Sequence, residues 1–484
     1  MRMHTKISLL IAAVLATSVS GAYAQKMYSR SNAPIGRAPG NDHPIGGYRG
    51  PGFGMPGIIL AVPSMVAPDQ PYVDDNGPPP RRQRNTQRRA RTPVVSEDFV
   101  PNEVLIRFVV TPSARQIATL QRRYRLARID SWTSQLSGVT SYRWRIRDGR
   151  PVPAVVRTLQ RDTLIASVQP NYLYALQEDA GKAELAPAAK AEPTEGDPSQ
   201  YELGKLHLPQ AHALAKGDNV LVAVIDSAVD ADNAELAGSI AEKLDVVADR
   251  AGPDKHGTAV AGLIAAHRKL MGAAPNAKIL AVRAFDKGGS TTDNIRKGID
   301  WAATHGARVI NMSFAGKHDD PALQGEIAAA YGKGIVLVAA AGNDGPKSPR
   351  LYPGAYPQVI AVAATDANDA LAAASSHGDY VAIAAPGEKM LLVGLHGPVV
   401  DSGTSFAAPL ISGIAALMLQ SDPALTPDEL RAILQKTAKD LGAKGRDPEF
   451  GWGLADAFAA LTAARASVAS TVPVEPANTS SGAH

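Results

Sequence analysis

The stretch Gly403-Thr404-Ser405-Phe406-Ala407-Ala408-Pro409 puts a hydroxyl at the start of an apolar run that reaches Leu419. Because this run has no polar face, we expect a helix that is buried on all sides. Pro409 fits only near the beginning of such a helix, where the first backbone N–H groups have no intrahelical partner. Ser405 is therefore predicted at a helix N-terminus inside a core, where neighbouring N–H groups can stabilise an anion. A serine that simply caps the helix is the commoner use of this position.

Two further stretches place reactive side chains at element boundaries. Residues 220–225 are a continuous apolar run that ends in Asp226, so a carboxylate is expected at the carboxyl end of a buried strand. His256 opens the apolar stretch 256–264, which we expect to be a helix. A serine hydroxyl becomes a useful nucleophile when a base accepts its proton and a third group orients that base. Ser405, His256 and Asp226 supply these three residue types.

With these motifs the chain resembles the subtilisin-like serine proteases, the subtilases or peptidase S8 family. The order Asp, His, Ser along the chain matches subtilisin, whereas α/β-hydrolases run Ser, Asp, His and chymotrypsin-like enzymes run His, Asp, Ser. The resemblance covers residues 201 to about 462. It implies that Asp226, His256 and Ser405 are catalytic and that peptide bonds are hydrolysed through an acyl-enzyme intermediate.

The same resemblance implies the rest of the site. Residues 338–345 resemble the family's oxyanion segment, so Asn343 would donate to the oxyanion together with the Ser405 N–H, and Thr404 would assist. Residues 310–316 resemble the segment that pairs with an extended peptide substrate. The substrate-binding residues implied are Ser313, Phe314, Ala315, Gly316, Ala340, Ala341 and Gly342. The chain departs from the family pattern at Ala228, where glycine is usual, and at Phe406 and Leu410, where Met and His are commonest.

The pattern after residue 198 predicts an α/β domain over residues 199–464. Strands are expected at 220–225, 279–282, 308–312, 335–340, 359–363 and 381–384, with helices near 257–267, 292–304 and 321–332 between them. This alternation predicts a subtilisin-like, mostly parallel sheet with helices on both faces. A disordered tail is expected at 465–484.

A small α+β domain with the order βαββαβ is predicted over residues 99–177, followed by a linker at 178–198. Ahead of a subtilase domain it resembles the family's propeptide, an intramolecular chaperone and inhibitor. An unrelated binding domain is the alternative. Residues 99–177 carry 12 basic against 4 acidic residues, and residues 198–464 carry 23 against 29. These opposite charges predict that the small domain docks on the protease domain, with its strand 165–174 near residues 313–316.

The N-terminal region predicts export. Arg2 and Lys6 precede a short apolar run, and Ala22-Tyr23-Ala24 supplies small residues for cleavage, so residues 1–24 are interpreted as a signal peptide. The run is short for the alternative, an uncleaved membrane anchor. We therefore expect a periplasmic or extracellular protein with no stable membrane insertion after cleavage.

Residues 25–95 are rich in Gly, Pro and Arg and are expected to be disordered. Their Arg81–Arg91 cluster could contact nucleic acid or an anionic membrane, but a solvated spacer is favoured, and no nucleic-acid partner is expected. The chain has no cysteine, which excludes disulfides and thiolate metal sites. No aspartate-rich calcium loop is apparent, so neither a metal nor a cofactor is predicted.

These observations favour an exported serine endopeptidase that acts on polypeptides and is made as a zymogen, which cuts itself within the linker 178–198. A catalytically silent subtilase-fold binding protein is the alternative, left open by the departure at Ala228 and by the long N-terminal arm. An esterase or lipase is disfavoured by the chain order and by the lack of a Gly-x-Ser-x-Gly elbow at Ser405.

Overall fold

The computed structural model describes residues 98–177, 184–185, 195–247 and 252–471, with side chains to 466 in the last helix. All of these residues belong to one structural unit, residues 89–484. The predicted signal peptide 1–24 and the predicted disordered segment 25–95 lie outside the described residues, as does most of the linker 178–198. Those interpretations stay predictions.

The first domain has the predicted order of strands and helices. Its elements are β1 (Phe99–Phe108), α1 (Ala114–Tyr124), β2 (Leu126–Thr133), β3 (Thr140–Ile146), α2 (Val152–Leu159) and β4 (Ile165–Leu176). The strands are antiparallel, in the order β4-β1-β3-β2. The fully buried Trp144 lies in the apolar cluster that β1, β3 and β4 form with both helices. This small domain therefore has a hydrophobic core of its own.

The second domain begins after a short strand in the linker, β5 (Glu184–Leu185). Its first half contains α3 (Tyr201–Lys205), α4 (Leu208–His212), β6 (Leu221–Asp226), β7 (Ile240–Asp245), α5 (Lys255–Ala265), β8 (Lys278–Arg283), β9 (Gly289–Thr291), α6 (Thr292–Thr304), β10 (Val309–Met312) and β11 (Phe314–Ala315). Its second half contains α7 (Pro321–Gly332), β12 (Val336–Ala340), β13 (Val359–Thr365), β14 (Val381–Pro386), β15 (Met390–Leu392), β16 (Val399–Asp401), α8 (Thr404–Ser421), α9 (Pro427–Thr437) and α10 (Ala457–Thr471).

A seven-stranded parallel sheet, in the order β14-β13-β12-β10-β6-β8-β7, forms the centre of the second domain. Side chains of β6 alternate between its two faces. Val222 and Val224 pack in the cluster that contains α5 and α8, whereas Ala223 and Ile225 pack in the cluster that contains α6 and α7. Burial on both faces explains the continuous apolar run of β6. The predicted α/β fold with a parallel sheet is confirmed.

Every residue of helix α8 from Thr404 to Leu419 is buried. Among the described residues it is the one helix long and apolar enough to cross a membrane, but 89% of it is buried inside the protein, as in a core helix. Pro409 lies deeper in α8 than predicted, at its sixth residue. The missing N–H of Pro409 would have bonded the carbonyl of Ser405. The Ser313 hydroxyl donates to that carbonyl instead, at 2.8 Å.

Two predicted boundaries need correction. Helix α10 continues to Thr471, so the tail predicted to begin at residue 465 is helical in its first part. Residues 184–185, within the predicted linker, form β5 and pair antiparallel with β16.

Candidate active site

The three residues predicted to be catalytic lie at the ends of a strand of the central sheet and of two helices packed on that sheet. Asp226 is the last residue of β6, and His256 and Ser405 are the second residues of α5 and α8. All three are almost fully buried, with exposures of 0%, 1% and 0%. His256 Nδ1 lies 2.7 Å from Asp226 Oδ1. When Nδ1 donates its proton to this carboxylate, Nε2 is the nitrogen that can accept one.

A local hydrogen-bond network ties the aspartate strand to the histidine helix. Ser227 donates to Asp226 Oδ1 through its backbone N–H at 2.7 Å, and its hydroxyl lies 3.2 Å from the same oxygen. The Ser227 hydroxyl also lies 2.8 Å from Asp254 and accepts from the N–H of Gly257 at 3.0 Å. Asp254 caps α5 by accepting from the N–H of His256. Sequence reasoning missed Asp254, although an aspartate two residues before the histidine is a recognisable cap signal.

The departure from the family pattern at Ala228 fits the turn that it occupies. Its carbonyl accepts a hydrogen bond from the N–H of Asp254 at 2.8 Å. Ala228 is not among the described non-glycine residues with positive φ, so its methyl group meets no left-handed backbone penalty. Phe406, the second departure, is 1% exposed, and its ring lies 5.6 Å from the imidazole of His256. It therefore gives the imidazole an apolar neighbour.

Ser405 and Ser313 exchange two hydrogen bonds. The Ser405 hydroxyl donates to the Ser313 carbonyl at 2.9 Å, and the Ser313 hydroxyl donates to the Ser405 carbonyl at 2.8 Å. Asn311 donates to the Ser313 hydroxyl at 2.9 Å, and Ser412 donates to Asn311, also at 2.9 Å. This buried series of hydrogen bonds holds α8 against β10, the strand that precedes Ser313. The Ser405 hydroxyl therefore directs its proton to the Ser313 carbonyl in this structure.

Asn343 is held by Thr404 in an orientation that leaves its amide nitrogen available. Asn343 Oδ1 accepts from the N–H of Thr404 at 3.0 Å and from its hydroxyl at 2.8 Å. The Thr404 hydroxyl itself accepts from the N–H of Gly342 at 3.2 Å. Asn343 Nδ2 is buried and has no hydrogen-bond partner among the described residues. A buried donor without a partner is costly, which is expected where a ligand completes the site.

Gln177, the residue after β4, lies at this site. Its carbonyl oxygen accepts from the N–H of Ser405 at 3.1 Å, and its own N–H donates to the Ser313 carbonyl at 3.3 Å. Its side-chain Oε1 accepts from the N–H of Asn343 at 2.8 Å. Sequence reasoning missed Gln177; its one signal was its position as the last residue before the predicted linker.

The end of β4 is paired on both sides with strands of the second domain. Ala175 and Leu176 pair antiparallel with β11, and residues 173–175 pair antiparallel with β9. The predicted substrate-binding segment Ser313–Gly316 thus contacts an extended chain. In the segment 338–345, Ala340 and Ala341 are fully buried. Asn343 of the same segment contacts Gln177 through its backbone N–H.

Farther from the site, carboxylates of α6 and α7 accept hydrogen bonds from the small domain. The Ser134 hydroxyl lies 2.5 Å from Glu326 and 3.0 Å from Asp300, both buried. Arg296 donates to the Ser141 hydroxyl at 2.6 Å and pairs with Glu326 at 3.1 Å. Burial raises the pKa of Glu326.

Ion pairs across this interface have both polarities. Arg143 of the small domain lies 3.6 Å from Asp293, as the charge count predicts, but Asp130 of the small domain lies 2.8 Å from Lys297. The interface is therefore not a simple meeting of a basic and an acidic surface.

Most of the second domain is similar in sequence to a family of known proteins. The sequence model of the subtilase family matches residues 217–453. Thermitase of Thermoactinomyces vulgaris is 36% identical over 255 residues, which are 51% of this chain and 90% of thermitase. The chain belongs to the subtilase family. The prediction of a subtilisin-like serine endopeptidase is thereby confirmed at the level of the family.

Other relatives of this subtilase are longer than the matched region. Minor extracellular protease Epr of Bacillus subtilis is 35% identical over 315 residues, 63% of this chain, and the match spans about half (49%) of the relative. The crystal structure of fervidolysin from Fervidobacterium pennivorans, described as a keratinolytic enzyme related to subtilisin, aligns with a TM-score of 0.64 and 27% identity. That alignment covers 75% of this chain and 61% of the fervidolysin chain.

In the part of the subtilase that the structure describes, no group of three His, Asp or Glu side chains is placed to hold a metal ion.

Proposed function

We propose that this subtilase is an exported serine endopeptidase that is made as a self-processing zymogen. Asp226, His256 and Ser405 form its catalytic triad, and residues 99–177 are its inhibitory propeptide. The observation that carries the proposal is the 3.1 Å hydrogen bond from the N–H of Ser405 to the carbonyl of Gln177. A carbonyl that accepts from the backbone of the nucleophile is placed like the acyl group of a substrate or product.

The proposed reaction proceeds in two steps. His256 Nε2 takes the proton of the Ser405 hydroxyl as Oγ attacks the carbonyl carbon, and the carbonyl oxygen becomes an oxyanion. The N–H of Ser405 and the amide of Asn343 donate to this oxyanion. His256 then gives its proton to the departing amine, and the peptide bond breaks to leave an acyl-enzyme. His256 then takes a proton from the water that attacks the ester, the bond to Ser405 Oγ breaks to release the acid, and His256 returns the proton to Oγ. Asp226 stabilises the imidazolium in both steps.

The bond proposed for self-processing is Gln177–Glu178, at the beginning of the predicted linker. The pairing of β4 with β9 and β11 supports this assignment, because an extended peptide that adds a strand is recognised mainly through its main chain. After cleavage the same strand would occupy the cleft and block other substrates. The small domain would therefore act first as a substrate and then as an inhibitor.

The test compares the full-length precursor with its Ser405→Ala variant, and Ser402→Ala serves as a matched control three residues earlier. We expect the wild-type and Ser402→Ala precursors to release a fragment that ends at Gln177, to hydrolyse casein and to react with a fluorophosphonate probe at Ser405. The Ser405→Ala precursor should stay intact unless active enzyme is added.

Two results would contradict the proposal. One is probe labelling at another serine; the other is equally fast trimming of the Ser405→Ala precursor with no other protease present. A folded wild-type protein that neither cleaves casein nor reacts with the probe would favour the alternative of a catalytically silent binding protein.

A further inference from the structure

The side chain of Tyr174 fills a pocket of the second domain, three residues before Gln177. It is 3% exposed, and its ring packs edge-on against Phe314 with centroids 5.9 Å apart. Gly316 forms one wall, because a Cβ atom added there would lie 2.7 Å from a ring carbon of Tyr174. The ring of Tyr174 thus packs between Phe314 and Gly316.

The floor of this pocket is a buried carboxylate. Asp320 is 0% exposed, and the Tyr174 hydroxyl donates to its Oδ2 at 3.0 Å. Thr292 donates to the same oxygen at 2.5 Å. The other oxygen, Oδ1, caps α7 by accepting from the N–H groups of Ala322 and Leu323. One oxygen of this carboxylate therefore caps α7, and the other accepts a hydrogen bond from the phenol of Tyr174.

Two observations indicate that the phenol is bound as a neutral donor to a fixed acceptor. Burial, together with the nearby charge of Asp320, holds the pKa of Tyr174 well above its ordinary value, so the hydroxyl keeps its proton. The hydroxyl of Tyr356 bonds both the N–H and the carbonyl of Asp320, at 2.9 and 3.0 Å. The acceptor is therefore held in position before a ligand arrives.

We propose that Asp320 is a specificity-determining residue that selects tyrosine as the fourth residue before the cleaved bond, in polypeptide substrates as well as in the enzyme's own chain. The proposal rests on the proposed function, since it takes Gln177 as the residue that precedes the cleaved bond. A phenylalanine would fill the ring space but would leave Asp320 Oδ2 one donor short in a buried site. A site built to bond a substrate hydroxyl rejects the analogue that lacks it.

The test uses the full chain after self-processing, with internally quenched peptides that copy residues 171–181. Three peptides carry Tyr, Phe or Ala at the position of Tyr174. A hydrogen bond to a charged group is worth about 1.5–3 kcal/mol, so kcat/KM should be about 10- to 100-fold higher for the Tyr peptide than for the Phe peptide. Because only the substrates differ, this comparison does not depend on the folding of a variant.

Two variants assign the preference to the pocket. Asp320→Ser keeps a good helix cap but is too short to reach the phenol, so the Tyr/Phe ratio should fall to about one. Asp319→Ser, a change of the exposed neighbouring carboxylate, is the matched control and should keep the wild-type ratio. Gly316→Ala should slow cleavage of the Tyr and Phe peptides more than cleavage of the Ala peptide, because the added Cβ would lie 2.7 Å from the ring of Tyr174 but 3.1 Å from the Leu173 carbonyl.

The outcomes separate this inference from the function on which it rests. Hydrolysis that depends on Ser405 but has a Tyr/Phe ratio below about three in the wild type overturns the inference and leaves the protease assignment intact. A ratio that survives in Asp320→Ser overturns the role of Asp320. Failure of the folded, processed enzyme to cut any of the three peptides overturns the proposed function, and this inference with it.

Discussion

Replacement of Asn343 by alanine tests the proposed oxyanion site most directly. The substitution removes the buried Nδ2, which has no partner among the described residues, while Thr404 fixes the other end of the amide with bonds of 2.8 and 3.0 Å. A donor that is oriented before the reaction needs no reorganisation when the oxyanion forms. We expect kcat to fall about 10²- to 10³-fold, or about 2.7–4 kcal/mol, a range taken from subtilisin, a relative of this chain.

Thr404→Val separates the donor from the residue that orients it. Valine keeps nearly the same shape but loses the hydroxyl bond to Asn343 and the acceptor for the N–H of Gly342. Each of these neutral hydrogen bonds is worth about 1 kcal/mol, so the loss of one or both should lower kcat by about 5- to 30-fold. Steady-state kinetics on one peptide would measure kcat and KM, and urea unfolding would show whether each variant is folded.

Two results would refute this reasoning. An Asn343→Ala enzyme of unchanged stability with kcat within about threefold of the wild type would exclude the amide as an oxyanion donor. A larger loss for Thr404→Val than for Asn343→Ala would instead give the direct role to the threonine hydroxyl.

Three other predictions concern pH and the small domain. Activity should fall on acidification through one ionisation, because His256 must be neutral to accept the serine proton; a flat pH–rate profile between pH 5 and 8 would contradict this. Burial raises the pKa of Glu202 to about 7. The free energy of unfolding of the wild type should therefore fall by up to about 3 kcal/mol between about pH 4.5 and 7. Urea unfolding at several pH values would test this, and Glu202→Gln should not show the same fall. Ser134→Ala removes a hydroxyl donor to the carboxylates of Glu326 and Asp300. The concentration of residues 99–177 that inhibits the mature enzyme should therefore rise about 10- to 100-fold. Equal inhibition by the variant and wild-type small domains would count against the interface.

The sign of the Glu202 effect follows from the direction of its pKa shift. A carboxyl whose folded pKa is raised above its unfolded value binds its proton more tightly in the folded state. Its stabilising contribution is complete below the unfolded pKa and is lost as the pH rises through the folded one. Glu202 is fully buried, so solvent screening does not weaken the effect.

Long elements with a clear pattern could be predicted from the sequence. Helices α6 and α7 begin and end where they were expected, at residues 292–304 and 321–332. The strands β6 and β12 were placed within one residue, because runs that are buried on both faces are apolar without interruption. Strands of two or three residues, such as β5 and β15, are too short for a periodic pattern, and the sequence did not predict them.

The side-chain types of the candidate site were also evident, but their hydrogen bonds were not. The sequence placed Ser405 at a helix N-terminus, yet its hydroxyl donates to the carbonyl of Ser313, a contact between segments 92 residues apart. Gln177 has no motif of its own, and its position depends on how β4 pairs with β11. The register of such a pairing is a tertiary property that local periodicity does not contain.

The two strands that flank the cleft are only three and two residues long, β9 and β11. In the proposed self-processing β4 leaves, and the backbone donors and acceptors of both strands would then form an unpaired sheet edge. Long unpaired edges promote aggregation. An edge this short offers few bonds to a folded neighbour, yet it is long enough for a flexible chain that passes between the two strands. The proposed processed protease would thus expose an open cleft with little tendency to pair edge to edge with other copies.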